Sequence, residues 1–401
     1  MTCKVLISFL SSSILLGGCA GSGSLPPTPV QEANLRICDI HMFDARHGWV
    51  EASGPAGPEV LRTTNGGRSW MNVTPESFPR DWFGCEFATE STAWISIHTN
   101  AWAGLLMTRD GGNSWRQVIA PFGYFTEASA VHFYNDRFGV ADSADGGLGS
   151  SYDTFYETQN GGRTWEALDV TPRYPEPGPG VTPRTFHLSN ICGDRLSYYP
   201  PGTFVIANGE SGDEKPLGSV QLSVSANSGK SWRDLQLPLP AESRGDWAAP
   251  QSPVFFSLRD GILPVEVFTQ DAHSRTFLAL LFYRTSDGGK TWTARQPVMV
   301  SPFGLVYCDC DIVSLNNIVV RDRGIFHVTH DGAKSWRTVT PNIDLGAEGS
   351  KRDLARLDFV DPLHGWLIIS DLTFSRDGNV ILYQTSDGGK TWAELPLKIQ
   401  R

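Results

Sequence analysis

The chain alternates short strand-like runs with polar turns, and seven of these turns share one pattern of hydroxyl, Asx, glycine and tryptophan positions. An Asx-Gly pair between two strands predicts a tight hairpin, because both residues tolerate positive φ. The Asx side chain can accept backbone N–H groups of its own turn, and the closing Trp buries apolar surface beside it. We therefore predict turn-forming roles, not catalytic or metal-binding ones, for Asn65, Asp110, Asn160, Asn227, Asp287, Asp331 and Asp387, and packing roles for Trp70, Trp115, Trp165, Trp232, Trp292, Trp336 and Trp392.

The spacing of the repeated turns predicts the fold. Consecutive tryptophans of the pattern are 44 to 67 residues apart, and a propeller blade of four strands needs about 40 to 50 residues. Composition agrees, because 41 Gly, 26 Pro, 13 Trp and only 19% charged residues are typical of a turn-rich all-β protein. We predict an all-β fold, a seven-bladed β-propeller of four-stranded antiparallel blades, over residues 34–401.

The repeated turn resembles the Asp-box of sialidase-type repeats, Ser/Thr-x-Asp-x-Gly-x-Thr-Trp. Departures are mild: Asn takes the Asp position in three copies, and Ala333 replaces one glycine. A second phrase precedes several turns, as in Phe359-x-Asp361 followed by His364-Gly-Trp366. Together the two phrases are most similar to the photosystem II assembly-factor propellers. The resemblance implies a propeller that binds a protein partner.

The N-terminus is predicted to be a targeting segment. The apolar run 5–16 follows Lys4 and is too short to span a bilayer as a stable helix. It ends in Leu-Gly-Gly-Cys19, which resembles a bacterial lipobox. We expect a signal peptide at 1–18, a lipidated Cys19 with a flexible tether at 19–33, and a location in the cell envelope facing the periplasm or exterior. The alternative is an ordinary secretory signal in which this Cys occurs by chance.

Charge and cysteine content narrow the range of partners. The formal net charge is −10, which argues against nucleic acid or an anionic membrane surface as a partner. Cys38 and Cys85 precede corresponding strands of the first two blades and could form a disulfide between them. Cys308 and Cys310 alternate on one strand and offer only two metal ligands, so we predict no metal and no cofactor.

Blade topology predicts the candidate binding face. The four strands of a blade are numbered outward from the ring axis. Because neighbouring strands are antiparallel, the turn between the first and second strands and the turn between the third and fourth lie on one face, and all other connections lie on the opposite face. The longer connections, 142–153, 171–186, 207–219, 238–253 and 268–276, should therefore emerge opposite the repeated turns. Long loops on a rigid scaffold commonly carry binding residues.

Several connections between blades contain a proline near an aromatic residue and an arginine. These side chains either form a ring suited to a carbohydrate or an extended peptide, or only cover the ends of the inner strands. The candidate binding residues are Arg80, Trp82, Tyr124, Arg173, Tyr174, Arg244, Trp247 and Phe303.

No catalytic residue can be identified from the sequence. A sialidase arginine triad with its early Arg-Ile-Pro phrase is not found, and neither is a nucleophile elbow or a zinc-binding His pair. The leading interpretation is a lipid-anchored scaffold that binds or assembles an envelope protein. The alternatives are a glycan-binding or glycan-hydrolysing, sialidase-like propeller, and a passive structural module within an envelope complex.

Overall fold

The computed structural model describes most of the predicted propeller and none of the residues before Val30. The described residues are 30–31, 35–54, 57–76, 82–98, 103–118, 130–147, 150–168, 196–208, 218–270, 275–304, 310–345, 352–371 and 379–400. Cys19 lies outside them. Within the described part, no helix is long and apolar enough to cross a membrane.

The strands form seven separate antiparallel sheets, which are the seven blades. The first three blades use β1 (Val30–Gln31), β2 (Arg36–Met42), β3 (Gly48–Gly54), β4 (Gly57–Thr63) and β5 (Trp70–Asn72); β6 (Trp82–Phe87), β7 (Ala93–His98), β8 (Ala103–Thr108) and β9 (Arg116–Val118); and β10 (Ala130–Phe133), β11 (Gly139–Gly147), β12 (Ser150–Thr158) and β13 (Glu166–Leu168).

The remaining four blades complete the predicted ring. They use β14 (Leu196–Tyr199), β15 (Thr203–Asn208), β16 (Ser219–Ser225) and β17 (Arg233–Pro238); β18 (Trp247–Pro250), β19 (Val254–Phe255), β20 (Gly261–Gln270), β21 (Arg275–Thr285), β22 (Thr293–Ala294) and β23 (Val298–Gly304); β24 (Cys310–Ile312), β25 (Ile318–Asp322), β26 (Ile325–Thr329) and β27 (Arg337–Val339); and β28 (Arg352–Phe359), β29 (Gly365–Asp371), β30 (Asn379–Thr385) and β31 (Ala393–Leu395). The last strand, β32 (Lys398–Gln400), joins the sheet of blade 1. The seven-bladed, four-stranded fold predicted from the sequence is confirmed.

Blade 5 departs from the plain four-stranded plan. Its first strand is interrupted, so β18 and β19 both pair with β20, and its outer strand is likewise divided between β22 and β23 on β21. A short 3-10 turn, Ala241–Ser243, precedes this blade.

The ring closes through the last strand of the chain. β32 pairs in parallel with β5 of blade 1, and β1 pairs antiparallel with β32. Ile399 is almost fully buried, in a cluster with Trp70 of blade 1 and with Trp366 and Leu382 of blade 7. Residues 30–31, which the sequence analysis assigned to the tether, therefore belong to the sheet of blade 1.

The seven repeated turns are built by their own side chains. In blade 1 the Thr63 hydroxyl donates to Asn65 Oδ1, which also accepts the Ser69 N–H, while Gly67 N–H donates to Thr63 Oγ1. The other six turns repeat these three bonds. Ala333 adopts φ +61° where the other copies have glycine. The Asx side chains thus satisfy backbone donors, as expected of turn formers.

A second set of bonds places two turns of every blade on one face, here called the turn face. The N–H that follows the Asx residue donates to a carbonyl in the turn between the first and second strands, as Gly66 does to Arg46 at 2.8 Å. The same bond occurs in all seven blades, from Gly66, Gly111, Gly161, Ser228, Gly288, Gly332 and Gly388. The connections between second and third strands, and between blades, therefore lie on the opposite face, here called the loop face.

Two predicted loops are shorter than expected. In blade 3, β11 and β12 stay paired out to Gly147 and Ser150, so most of 142–153 is a long hairpin. In blade 5, β20 and β21 stay paired to Gln270 and Arg275, which removes most of the loop predicted at 268–276.

Neighbouring blades are held together by aromatic stacking. In five blades the last residue of the first strand is large and apolar, and it pairs with a Gly or Ala that begins the second strand, as Phe133 does with Gly139. Phe133 stacks on Trp94 of the preceding blade at 3.6 Å between centroids, and Phe87 stacks on Trp49 at 5.5 Å. The buried faces of the blades therefore interlock in order around the ring.

Candidate functional site

In six of the seven blades the first strand, which lies innermost, carries a polar residue one position before its last residue, whereas blade 5 has Val254 there. In five blades this position is ionisable: His41, Glu86, His132, Asp311 and Asp358. First strands of adjacent blades contact each other around the axis. We call these five residues, together with Asp39 and Arg356 two positions earlier on their strands, the inner belt.

Two ion pairs of the inner belt cross blade boundaries. Arg356 of blade 7 contacts both carboxylate oxygens of Asp39 in blade 1, at 2.6 and 3.2 Å. His132 Nδ1 of blade 3 lies 2.9 Å from Glu86 Oε1 of blade 2. Between one-third and two-thirds of the Arg356, Asp39 and His132 side chains remains exposed, so these charges are accessible to a bound molecule.

The pKa values of the two histidines of the inner belt are shifted in opposite directions. The negative charge of Glu86 raises the pKa of His132, which favours the imidazolium form. Burial lowers the pKa of His41, and this favours its neutral form. Blades 7, 1, 2 and 3 therefore present Arg356, Asp39, His41, Glu86 and His132 in sequence.

The buried carboxyls of the inner belt also link neighbouring blades. Asp358 Oδ2 accepts the Met42 N–H at 2.6 Å, and Asp311 Oδ2 accepts the Phe359 N–H. Burial raises the pKa of Asp311 to about 6. Burial, and then the negative charge of Asp311, raises the pKa of Asp358 to about 8. Asp358 is therefore mostly protonated at neutral pH.

Beside the inner belt, a thiol and a carboxyl pack together at the boundary of blades 1 and 2. The Cys85 N–H donates to Glu51 Oε2 at 3.3 Å. Burial raises the pKa of Cys85 well above its usual value, and the Glu51 charge adds to this effect. Cys85 is therefore held as an unreactive thiol.

The structure does not contain the disulfide that the sequence analysis suggested between Cys38 and Cys85. Cys38 and Cys85 are both free thiols. Cys38 is exposed at a bulge in β2, between Ile37 and Asp39, and its sulfur contacts the Arg36 carbonyl of its own strand at 3.8 Å. Cys85 instead packs in the apolar cluster of blades 1 and 2.

Half of the predicted binding residues fall in the described part of the chain. Arg244 is exposed directly after the 3-10 turn, and the half-buried Trp247 begins the interrupted first strand of blade 5. The backbone of Trp82 begins the first strand of blade 2. Arg80, Tyr124, Arg173 and Tyr174 lie outside the described residues.

Phe303 is placed differently from the prediction. The sequence analysis put it in a connection between blades near the axis. The structure places its backbone in β23, paired with Phe277 on the outer side of blade 5. The proline before it is compatible with an edge strand, which the sequence analysis did not consider.

The inner belt was missed by the sequence analysis, although a pattern for it exists. Each of its main residues stands directly before the large apolar residue that ends a first strand, as in Glu86-Phe87 and Asp358-Phe359. The apolar residue was recognised as part of a phrase, but its polar neighbour was not. Only the strand pairings show that these polar residues occupy corresponding positions in their blades.

Compared with known protein families the sequence matches none, and it has no match among curated proteins. Solved structures do resemble it. A structure titled "YCF48 bound to D1 peptide" aligns with TM-score 0.51 and 14% identity, over 90% of this chain and 95% of that one. YCF48 from Cyanidioschyzon merolae gives 0.49 and 15%, over 90% and 99%. A PL25 ulvan lyase bound to a sugar gives 0.49 and 11%, over 92% and 96%. At these identities the first likeness shows the propeller fold alone.

Proposed function

We propose that this chain is a propeller that binds a protein partner at the inner belt, near the turn-face end of the first strands, with contacts continuing along these strands to Trp247 on the loop face. The observation that carries the proposal is the inner belt, in which exposed charges of both signs are held in fixed positions by contacts between blades. Such an arrangement suits recognition of a polar polypeptide segment, because fixed charges give specificity at little reorganisation cost. The YCF48 structure supports the proposal, because that propeller is bound to a peptide.

We further propose that the propeller is anchored in the cell envelope by a lipid on Cys19. The lipobox-like sequence supports this. The experiment is membrane fractionation of the full chain beside a Cys19→Ala variant. Release of the variant into the soluble extracytoplasmic fraction is the expected result. Equal membrane retention of both proteins would contradict the lipid anchor without affecting the binding proposal.

The binding proposal is tested by crosslinking and affinity recovery from membranes with the anchored protein. The charge-removing double variant Asp39→Asn with Glu86→Gln should lose the partner that wild type recovers, and Trp247→Ala should weaken its recovery. The control is Lys290→Gln with Lys334→Gln, two exposed residues on the turn face. Loss in the control variant, or full recovery by the belt variant, would place the binding surface elsewhere.

A glycan-binding or glycan-cleaving propeller is the second candidate. It is favoured by the neighbouring pair Asp311 and Asp358, because glycosidases use two carboxyls and Asp358, with a pKa of about 8, stays mostly protonated at neutral pH and can serve as a general acid. Against it, both carboxyls already accept backbone N–H groups. Turnover of a chromogenic glycoside that is lost in Asp358→Asn would support it. No binding on a glycan array and no turnover would remove it.

A further inference from the structure

A cluster of three side chains on the turn face is separate from the inner belt. Asp44 and His47 lie in the first turn of blade 1, and Glu90 lies in the matching turn of blade 2. His47 Nδ1 is 2.9 Å from Asp44 Oδ2 and 3.4 Å from Glu90 Oε2. One ligand atom from each of the three residues lies within 4.8 Å of the others.

The two turns that carry the cluster are already fixed in place. Asp44 Oδ1 accepts the N–H groups of Arg46 and His47 at 2.6 and 2.7 Å. The blade 2 turn is held against blade 1 by Trp49 Nε1, which donates to the Thr89 carbonyl at 3.0 Å, and by Arg62, which donates to the Glu90 carbonyl at 2.9 Å. The ligand atoms would therefore need little rearrangement to hold an ion.

Blade 7 provides an internal comparison. Its first turn has the same length and the same pair, with His364 Nδ1 2.8 Å from Asp361 Oδ2 and two backbone N–H groups on Asp361 Oδ1. Blade 1 follows blade 7 around the ring. The strand pairings place Ala45 of blade 1 at the position that Glu90 occupies in blade 2. An Asp–His pair is therefore an ordinary feature of this turn, and the added carboxylate of Glu90 is not.

The position of Glu90 is what points to a cation. Its carboxylate and that of Asp44 both approach the same nitrogen of His47, but one Nδ1–H can satisfy only one of them at full strength. No Lys or Arg side chain among the described residues forms an ion pair with either carboxylate. A metal ion at that point would be bound by the neutral imidazole and by both carboxylates together.

We propose that Asp44, His47 and Glu90 bind a divalent transition-metal ion, Zn²⁺ or Mn²⁺, that links blades 1 and 2 at the turn face. One imidazole nitrogen with two carboxylate oxygens suits these ions, whereas Ca²⁺ and Mg²⁺ prefer oxygen ligands alone. The separations of 2.9 and 3.4 Å between ligand atoms match two ligands about 2.1 Å from one ion. The remaining positions would be filled by water, because both carboxylates are more than half exposed.

The test is calorimetric titration of untagged, EDTA-treated protein with ZnCl₂ and MnCl₂, together with melting curves with and without metal. Wild type is expected to bind one equivalent and to melt at a higher temperature with metal. Glu90→Gln should weaken binding at least about tenfold, because losing a residue that binds the metal costs more affinity than losing one that only supports a ligand. Asp361→Asn, which alters the matching pair in blade 7, should leave binding unchanged.

Three outcomes would overturn the proposal. The first is no binding by wild type, and the second is equal binding by Glu90→Gln, which would make any metal uptake adventitious. The third is loss of binding in Asp361→Asn, which would move the site to blade 7. His47→Gln should also abolish binding; if it fails to fold, Glu90→Gln still decides, because the Glu90 side chain is 55% exposed.

Discussion

At the scale of single residues, the repeated turns depend on one side chain each. Asn65 accepts the Ser69 N–H at 3.0 Å and donates to the Ser69 hydroxyl at 2.8 Å. Asn65→Ala removes the side chain that hydrogen-bonds these two groups of Ser69, so we expect a loss of about 1–3 kcal/mol in the free energy of unfolding. Thr64→Ala, on an exposed neighbour in the same turn, should stay within about 0.5 kcal/mol. Urea unfolding followed by Trp fluorescence measures both, and equal effects would contradict this role for Asn65.

Small residues at the start of the second strands make room for the aromatic residues at the ends of the first strands. A Cβ at Gly365 would lie 2.6 Å from Phe359 Cδ1, whereas one at Gly84 would meet nothing within 4 Å. We expect Gly365→Ala to lower stability by about 1–3 kcal/mol, because the ring must leave its packed position. Gly84→Ala should be close to neutral. Melting temperatures test the pair, and an unchanged value for Gly365→Ala would show that the ring can move freely.

The residue scale also shows the limit of sequence reasoning. The turn-forming residues could be predicted because each acts within its own eight-residue segment. Glu90 could not, since its relation to His47 depends on two turns 43 residues apart in the chain. The inner belt is similar, because Arg356 and Asp39 meet only when the ring closes.

At the scale of strands and blades, Asp358 makes the contact between blades 7 and 1 sensitive to pH. Its pKa in the folded protein is about 8, and the usual value is 3.8. The folded state therefore keeps a proton that the unfolded state has lost, so stability falls as pH rises from about 4 to about 8. This group contributes a slope of up to about 1.4 kcal/mol per pH unit.

Asp358→Asn should flatten this dependence. The Asn carbonyl oxygen can still accept the Met42 N–H, while the ionisable group is gone. We expect melting temperatures between pH 6 and 8.5 to fall less steeply than in wild type, with the largest gain at high pH. Asp361→Asn is the control, because its hydrogen bonds lower the pKa of Asp361 despite some burial, and it does not titrate in this range. Parallel curves for wild type and Asp358→Asn would contradict the assignment.

At the scale of the whole molecule, ring closure depends on three residues at the end of the chain. Removing residues 397–401 deletes β32 and with it Ile399, which is 1% exposed between blades 1 and 7. We expect a loss of at least about 2–4 kcal/mol, the range for deleting one large buried aliphatic side chain, with increased proteolysis near this boundary. Removing only Arg401 should have little effect. Limited proteolysis with mass spectrometry, beside melting curves, checks both truncations.

The number of blades was predictable because each repeated turn marks one blade. The manner of closure was not, because Lys398–Gln400 has no turn or period of its own, and a three-residue strand has too little pattern to predict its partner. Residues 142–153 and Phe303 were wrongly predicted to lie in connections between strands for a related reason. In both, pairing with a neighbouring strand extends regular structure into segments whose composition is typical of loops.

The place of Ile399 has a consequence for how the protein is made. Blade 1 is synthesised before the other six blades, yet its sheet lacks β32 until Lys398–Gln400 has also been made. Until then the boundary with blade 7 leaves apolar surface around Trp366 and Trp70 uncovered. Any chain that ends early, by a stop codon or by cleavage, would therefore display this surface to chaperones and proteases. The fold therefore covers this apolar surface only in chains that include β32.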